Sequence, residues 1–255
     1  MVTSNRWQRA QHYEAGYWER QAADIAAGAA SQLEWYGWRA GQLADALRSV
    51  GLDALTTGEA RVVEVGSGPV GVASFFPARV RVAVDPLERF YASNSVLTTH
   101  RSPAVEYREG RGEALPCDDA AFDLAIIENC IDHVQDMHGV MRELRRVLQP
   151  GGTLYLTVNC RSAKGYWIHR LLSRLRLDPG HPHTFTPDRL ERLIRSHGFQ
   201  VVRTWGLQTH DEARRADLAS SARKDRLKGH LDVSEFTVAA IAVLPGIPTP
   251  VASGP

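Results

Sequence analysis

From about residue 60 onward, short apolar runs alternate with segments whose apolar residues recur at i, i+3 and i+4, the pattern of a parallel sheet covered by helices. Seven runs read as strands: RVVEVG (61–66), RVAVD (81–85), AVEYRE (104–109), FDLAIIE (122–128), GTLYLTV (152–158), FQVVRTW (199–205) and EFTVAAIAVL (235–244). Between them FYASNSVLTTH, MHGVMRELRRVLQP and TPDRLERLIRSHG read as crossover helices. The first 60 residues also read as helices and are dense in aromatics, with Trp7, Tyr13, Tyr17, Trp18, Trp35, Tyr36 and Trp38. Such an extension either packs as core or presents flat apolar faces to a ligand as a lid. A polar helical insertion over about 208–233 separates the last two strands, where a short hairpin would suffice, and is expected to shape a substrate pocket or an oligomer contact. The organisation predicted is one domain over 1–245, with a helical extension over 1–60, an α/β core over 61–245, and a Pro- and Gly-rich disordered tail over 246–255.

Composition narrows the partners. The chain has 255 residues, 44% hydrophobic and 23% charged, which is ordinary for a globular protein. Thirty Lys and Arg against 29 Asp and Glu leave a net charge of +1, so no overall field gathers polyanions and nucleic acid is not the expected partner. Cys117, Cys130 and Cys160 form neither a CxxC pattern nor an even-numbered disulfide framework, and read as reduced thiols of a cytoplasmic protein. No apolar run approaches the ~18 residues of a membrane helix, and the N-terminus lacks the apolar stretch of a secretion signal. Oligomeric state leaves no signature.

The first strand runs into a glycine-rich turn, VVEVGSGPVG (62–71), where Gly66, Gly68 and Gly71 allow sharp bending and close approach to a ligand. The second strand ends in Asp85 of VAVDPL, 19 residues after Gly66, and a carboxylate there can accept both hydroxyls of a ribose. The pair places a nucleoside cofactor. Pro69 falls where a pyrophosphate would need backbone N–H groups, which weakens a dinucleotide reading.

Four ordered segments resemble the class I S-adenosylmethionine-dependent methyltransferases over about residues 60–205: VVEVGSGPVG, VAVDPL, GEALPCDDAAFDLAIIENCIDHVQD and MRELRRVLQPGGTLYLTVN. The resemblance implies a Rossmann-like, doubly wound sheet of seven strands with the last antiparallel. It implies S-adenosylmethionine as cofactor, with contacts at Glu64, Gly66, Ser67, Gly68, Asp85, Pro86, Gly112, Glu113, Glu128 and Asn129. Many relatives hold the adenine amino group with an Asp in a GDAExLP string. This chain has Gly110-Arg111-Gly112-Glu113, so the contact passes to the backbone N–H of Gly112 or to Glu113. A sulfonium cation with a zwitterionic tail suits carboxylates and aromatic faces. Glu64, costly to bury alone, would pair with the tail ammonium or with another cation of the fold. Tyr17 or Trp18 would lie over the cation or the tail, and both are expected to touch substrate unless they only pack a helix.

Substrate and methyl group are expected to meet at Glu128-Asn129-Cys130-Ile131-Asp132-His133, outside the strands' carboxyl ends. ENCI lacks the Asp/Asn-Pro-Pro-aromatic string of base amino-methylases, and Cys130 does not follow a proline as a cytosine C5 nucleophile would. Asp132 and Asn129 are too few for a magnesium cluster, so no metal is expected. His133 matches the His of the LxHV pattern of small-molecule members. An imidazole there could take a hydroxyl proton or simply cap the next helix. His181 and His183 follow the fifth strand and are expected to touch substrate. The basic runs Arg161, Lys164, Arg170, Arg174, Arg176 and Arg214, Arg215, Arg223, Lys224, Arg226, Lys228 are either solvated helix faces or the frame of an anionic substrate's pocket. The expected function is methyl transfer to an oxygen or nitrogen of a small natural-product-type metabolite. The alternatives are carbon methylation of a quinone or lipid, RNA methylation, and cofactor binding without turnover.

Overall fold

The computed structural model describes residues 3–29, 32–174 and 182–246. His181, Arg176 and all but the first residue of the expected tail lie outside these residues. Seven strands, β1 (Arg61–Val65), β2 (Val80–Asp85), β3 (Glu106–Glu109), β4 (Phe122–Glu128), β5 (Leu148–Cys160), β6 (Gln200–Gly206) and β7 (Phe236–Val243), form one sheet in the order 3-2-1-4-5-7-6. All pairs are parallel except those of β7, which runs antiparallel to both β5 and β6. The strand order reverses between β1 and β4, and in such sheets that switch point opens a crevice at the strands' carboxyl ends.

Alternation along each strand divides the core into two layers. Val62, Leu124, Ile126, Tyr155, Ala239 and Ile241 face one side, where they meet Leu43 and Leu47 of helix α2 (Trp35–Arg48). Val63, Val65, Ala125, Ile127, Leu154, Leu156 and Ala240 face the other, packed on α4 (Met137–Val147) and α6 (Pro187–Ser196). Helix α4 turns Val140, Met141, Leu144 and Val147 inward, and α6 begins on a Thr186 cap with Pro187 in its first turn, which removes an N–H that would otherwise lack a partner. Both match the expected crossover helices.

The helix expected over FYASNSVLTTH is only α3 (Glu88–Ala92). Beyond it the Asn94 side chain accepts from Val96 N at 3.0 Å, and Thr99 Oγ1 donates to Ser95 O at 3.0 Å. These local bonds offer the backbone turns instead of a helix. Helix α1 (Ser4–Ala26) and α2 make up the N-terminal extension, α5 (Ala163–Arg174) follows β5, and α7 (His210–Ala219) and α8 (Arg223–Leu231) form the insertion before β7.

Candidate active site

The turn after β1 is held by its neighbours before any ligand is considered. Gly66 N donates to Val84 O at 2.8 Å, tying the turn to β2. Gly66 and Gly68 have φ of 72° and 61°, the left-handed region that glycine enters without a Cβ penalty. A Cβ at Gly66 would run into the Cys130 side chain, and one at Gly68 would lie 2.7 Å from the Tyr36 hydroxyl. Gly68→Ala should therefore cost ~2 kcal/mol or more of stability, part backbone strain and part overlap. Thermal melts should show Tyr36→Phe restoring the overlap part in the double variant, whereas no restoration would place the strain elsewhere.

Two buried carboxylates hold this turn. Glu64 accepts from Val72 N at 2.9 Å and Ala73 N at 2.8 Å. Its partners are thus backbone N–H groups rather than a cation of the fold, while its side chain still borders the cavity. Asp85 accepts from Gly68 N at 2.9 Å and Leu87 N at 2.8 Å, one bond on each oxygen. At the end of β4, Asn129 has a φ of 46°, a conformation asparagine tolerates better than most side chains. That turn, anchored by Asn129 N on Thr157 O at 3.0 Å, swings residues 130–133 across the sheet's end.

These elements enclose a cavity that opens to solvent at its mouth. Glu64, Gly66, Ser67, Gly68, Asp85, Pro86, Glu128, Asn129, Cys130 and His133 line it. A narrower cavity shares Gln11, Gly66, Pro86, Cys130 and His133 with it and continues past Arg111, Gly112 and Glu113. Glu113 Oε1 accepts from Gln135 N and Asp136 N at 2.8 and 3.0 Å, so one of its oxygens is already engaged.

The N-terminal extension covers both cavities. Trp7, Gln11, Glu14 and Trp18 recur at four-, three- and four-residue steps, which puts them on one face of α1. Trp7 borders the narrow cavity, with Arg111 Cζ 4.1 Å from its ring centre, and Glu14 and Trp18 border the wide one. Trp18 Nε1 donates to Glu14 at 2.9 Å. Tyr17 does not reach the cavity and packs edge-on against Trp18 at 5.3 Å. From α2, Tyr36 and Arg39 enter the wall, and Arg39 lies 3.9 Å from Glu128.

Burial sets the electrostatics. It raises Asp85 to about 6, Glu128 to about 7 and Glu64 to about 8. Desolvation and the carboxylates of Asp85 and Asp132 hold the Cys130 thiol well above its usual range, so it stays protonated and is no nucleophile at neutral pH. Gln11 Oε1 and Asn129 Oδ1 are buried with no hydrogen-bond partner among the described residues. A site with three desolvated carboxylates and two unsatisfied acceptors fits a ligand that is cationic and rich in donors.

His133 lines the wide cavity, with Nε2 3.8 Å from the buried Asp132. It is not the cap of the following helix, because Asp136 accepts from His138 N at 3.1 Å at the start of α4. His183 lies apart, with Nε2 3.0 Å from Val134 O, in a separate cavity. Much of the basic run of the insertion bonds within its own segment. Arg214 meets Asp232 and Gly229 O, Arg226 donates to Ser220 O and Ser221 O, and Lys228 pairs with Asp225. Arg161 is buried against Glu235. Among the described residues no cluster could hold a metal ion, and no helix is long and apolar enough to cross a membrane.

Known proteins share both the sequence pattern and the fold. Residues 63–156 match the family model of a methyltransferase domain. The ubiquinone biosynthesis O-methyltransferase of Paracidovorax citrulli is 27% identical over 62% of this chain and 71% of its own length. Several other curated relatives are spanned over between a third and two thirds of their length. The structure of the [4+2]-cyclase SpnF superimposes with a TM-score of 0.64 at 16% identity, covering 97% of this chain and 98% of SpnF. The phosphoethanolamine N-methyltransferase 2 of Haemonchus contortus in complex with S-adenosyl-L-methionine gives 0.58 at 19% identity, covering 80% and 52%. At such identities the structural likeness speaks for the fold alone. The matched model spans residues 63–156, and with the ordered motifs and the carboxylate-lined crevice at the sheet's switch point it identifies a methyltransferase domain that resembles the class I S-adenosylmethionine-dependent enzymes, with S-adenosylmethionine as methyl donor.

Proposed function

We propose that this chain methylates an oxygen or nitrogen of a small-molecule acceptor, and that α1 is the lid of the site. The observation that carries the proposal is that Asp85, Glu128 and His133, brought by the ends of β2 and β4, line one cavity roofed by a single face of α1. A cavity roofed by a helix suits a metabolite better than a polymer. The O-methyltransferase among the relatives supports oxygen as an acceptor atom.

In this reading Asp85 takes the ribose hydroxyls. A carboxylate offers about four acceptor positions, and the bonds from Gly68 and Leu87 occupy one on each oxygen. Gly112 and Glu113 border the adenine end. Arg39 takes the carboxylate of the cofactor's tail, and Glu64 and Glu128 face its ammonium. The bound cofactor supplies an electrophilic methyl carbon, so the chain's work is to align the acceptor with it and exclude water. His133 would receive the proton of a hydroxyl acceptor.

Incubation with methyl-labelled S-adenosylmethionine and metabolite extracts should move label into small products. Tight cofactor binding with no labelled product in any extract would replace transfer with a binding role. If α1 closes over the site, its amides should exchange more slowly with the cofactor present, as lid segments gain protection on binding. Equal exchange in both states would leave α1 as a fixed wall.

The raised carboxylates make binding pH-dependent. Glu64 and Glu128 must be ionised to face the ammonium and Asp85 to accept from both ribose hydroxyls, so affinity should rise with pH through about 6 to 8 and binding should release protons below that window. The ligand-free fold responds in the opposite sense. A folded-state pKa above the unfolded one gives stability that is full below the ordinary carboxylate range and is lost as pH rises through the same window. Calorimetry at about pH 5.5 and about pH 8 should show the affinity change. Equal affinities would remove these carboxylates from the cofactor's surroundings.

A further inference from the structure

Where the resembled family places an Asp for the adenine amino group, this chain has Arg111. A guanidinium offers donors only, as the amino group does, so it cannot take over that contact. It is also turned to other partners, with Cζ 4.1 Å from the Trp7 ring centre and Nη2 donating to Gln135 Oε1 at 2.6 Å. Both oxygens of Glu113 are engaged as well. Its Oε1 accepts from Gln135 N and Asp136 N, and its Oε2 lies 3.5 Å from Arg111 Nε. The Gly112 N–H is a donor and suits a ring nitrogen, not an amino group.

Gln11 of α1 supplies the missing acceptor. It borders the narrow cavity and the wide one, beside Gly66 and Pro86, which the two share. Its Oε1 is buried with no hydrogen-bond partner among the described residues. Burying an amide oxygen without a donor is costly, and an amino group on a ligand removes that cost. Around it Trp7, Val65, Val84, Pro86 and Val134 give the narrow cavity apolar walls that suit a flat base. An amide also matches adenine on two points, because its oxygen accepts from the exocyclic amino group while its nitrogen donates to the adjacent ring nitrogen.

We propose that Gln11 recognises the adenine amino group of S-adenosylmethionine in place of the missing acid. Helix α1 then reads the cofactor's base as well as covering its site, through a residue one turn beyond Trp7. The proposal rests on the reading that puts the adenine end at Gly112 and Glu113.

Calorimetry on the full chain, with S-adenosylhomocysteine and with its analogue carrying purine in place of adenine, tests this. Wild type should bind the adenine ligand about tenfold more tightly, the effect of one hydrogen bond to a buried acceptor. Gln11→Met keeps the length and helix preference of the side chain but only a weak acceptor, and should erase most of that preference. Gln11→Asn draws the amide back by one methylene. It should do the same, and it carries the measurement if Gln11→Met does not fold. A wild type without the preference, or a variant that keeps it, overturns the proposal. So does an equal loss of affinity for both ligands in the variant, which would put Gln11 against the ribose or the acceptor. Asp85→Ala identifies a failure of the underlying placement, since both ligands carry the ribose. Unchanged affinity for both would remove the cofactor from this position, whereas equal weakening of both, beside a base preference that survives in Gln11→Met, would remove only the role of Gln11.

Discussion

Asp85→Ala should weaken S-adenosylmethionine binding by ~2–4 kcal/mol, the value of two charge-assisted hydrogen bonds to the ribose hydroxyls. The carboxylate has two tasks. It holds the glycine turn through Gly68 N and the chain after β2 through Leu87 N, and its remaining lone pairs face the cavity. Alanine removes both, so the affinity loss should come with a fall in melting temperature. Asp85→Asn separates the tasks. An amide keeps one acceptor oxygen and nearly the same shape but carries no charge, and so should retain more of the fold while still losing much of the affinity. Calorimetry and thermal melts on both variants check this, and unchanged affinity in Asp85→Ala would take the ribose away from this residue.

The sheet was legible because strands buried on both faces read as continuous apolar runs, and all seven expected strands are present within a few residues. Local chemistry explains what was missed. The Asn94 and Thr99 side chains bond to nearby backbone and end α3 early, although the apolar spacing of that stretch suits a helix. At the site, residues fixed by strand ends were readable, since the turn after β1 and the acid after β2 lie where the motif itself places them. Arg39 and Tyr36 were not, because their part depends on how α2 packs against the sheet. Gln11 and Glu14 had a signal that went unread. Their spacing with Trp7 and Trp18 marks one helix face that mixes aromatic and polar groups, as a cavity roof does and a plain packing face does not. The basic runs misled in one part. Counting arginines along the chain gives equal weight to those of α7 and α8, which bond within the insertion, and to Arg170, which the fold brings beside Arg189 of another helix.

His133→Ala should lower the single-turnover rate by ~10²–10⁴ if the acceptor is a hydroxyl, the usual range for general-base catalysis, and leave cofactor affinity nearly unchanged. The geometry makes this substitution informative. His133 N donates to Cys130 O at 2.9 Å, so the turn that carries the residue is fixed by backbone, and Asp136 caps the next helix without it. Loss of the side chain should therefore leave the fold intact. The buried Asp132 carboxylate, 3.8 Å from Nε2, would steady the imidazolium formed when a proton is taken. An amine acceptor gives a different result, because a neutral amine attacks with its lone pair and sheds its proton afterwards. A variant with a near-normal single-turnover rate would end the base assignment. If its rate is also flat above neutral pH, the acceptor atom is nitrogen, and the place of His133 in the cavity wall is then to shape the space the amine enters.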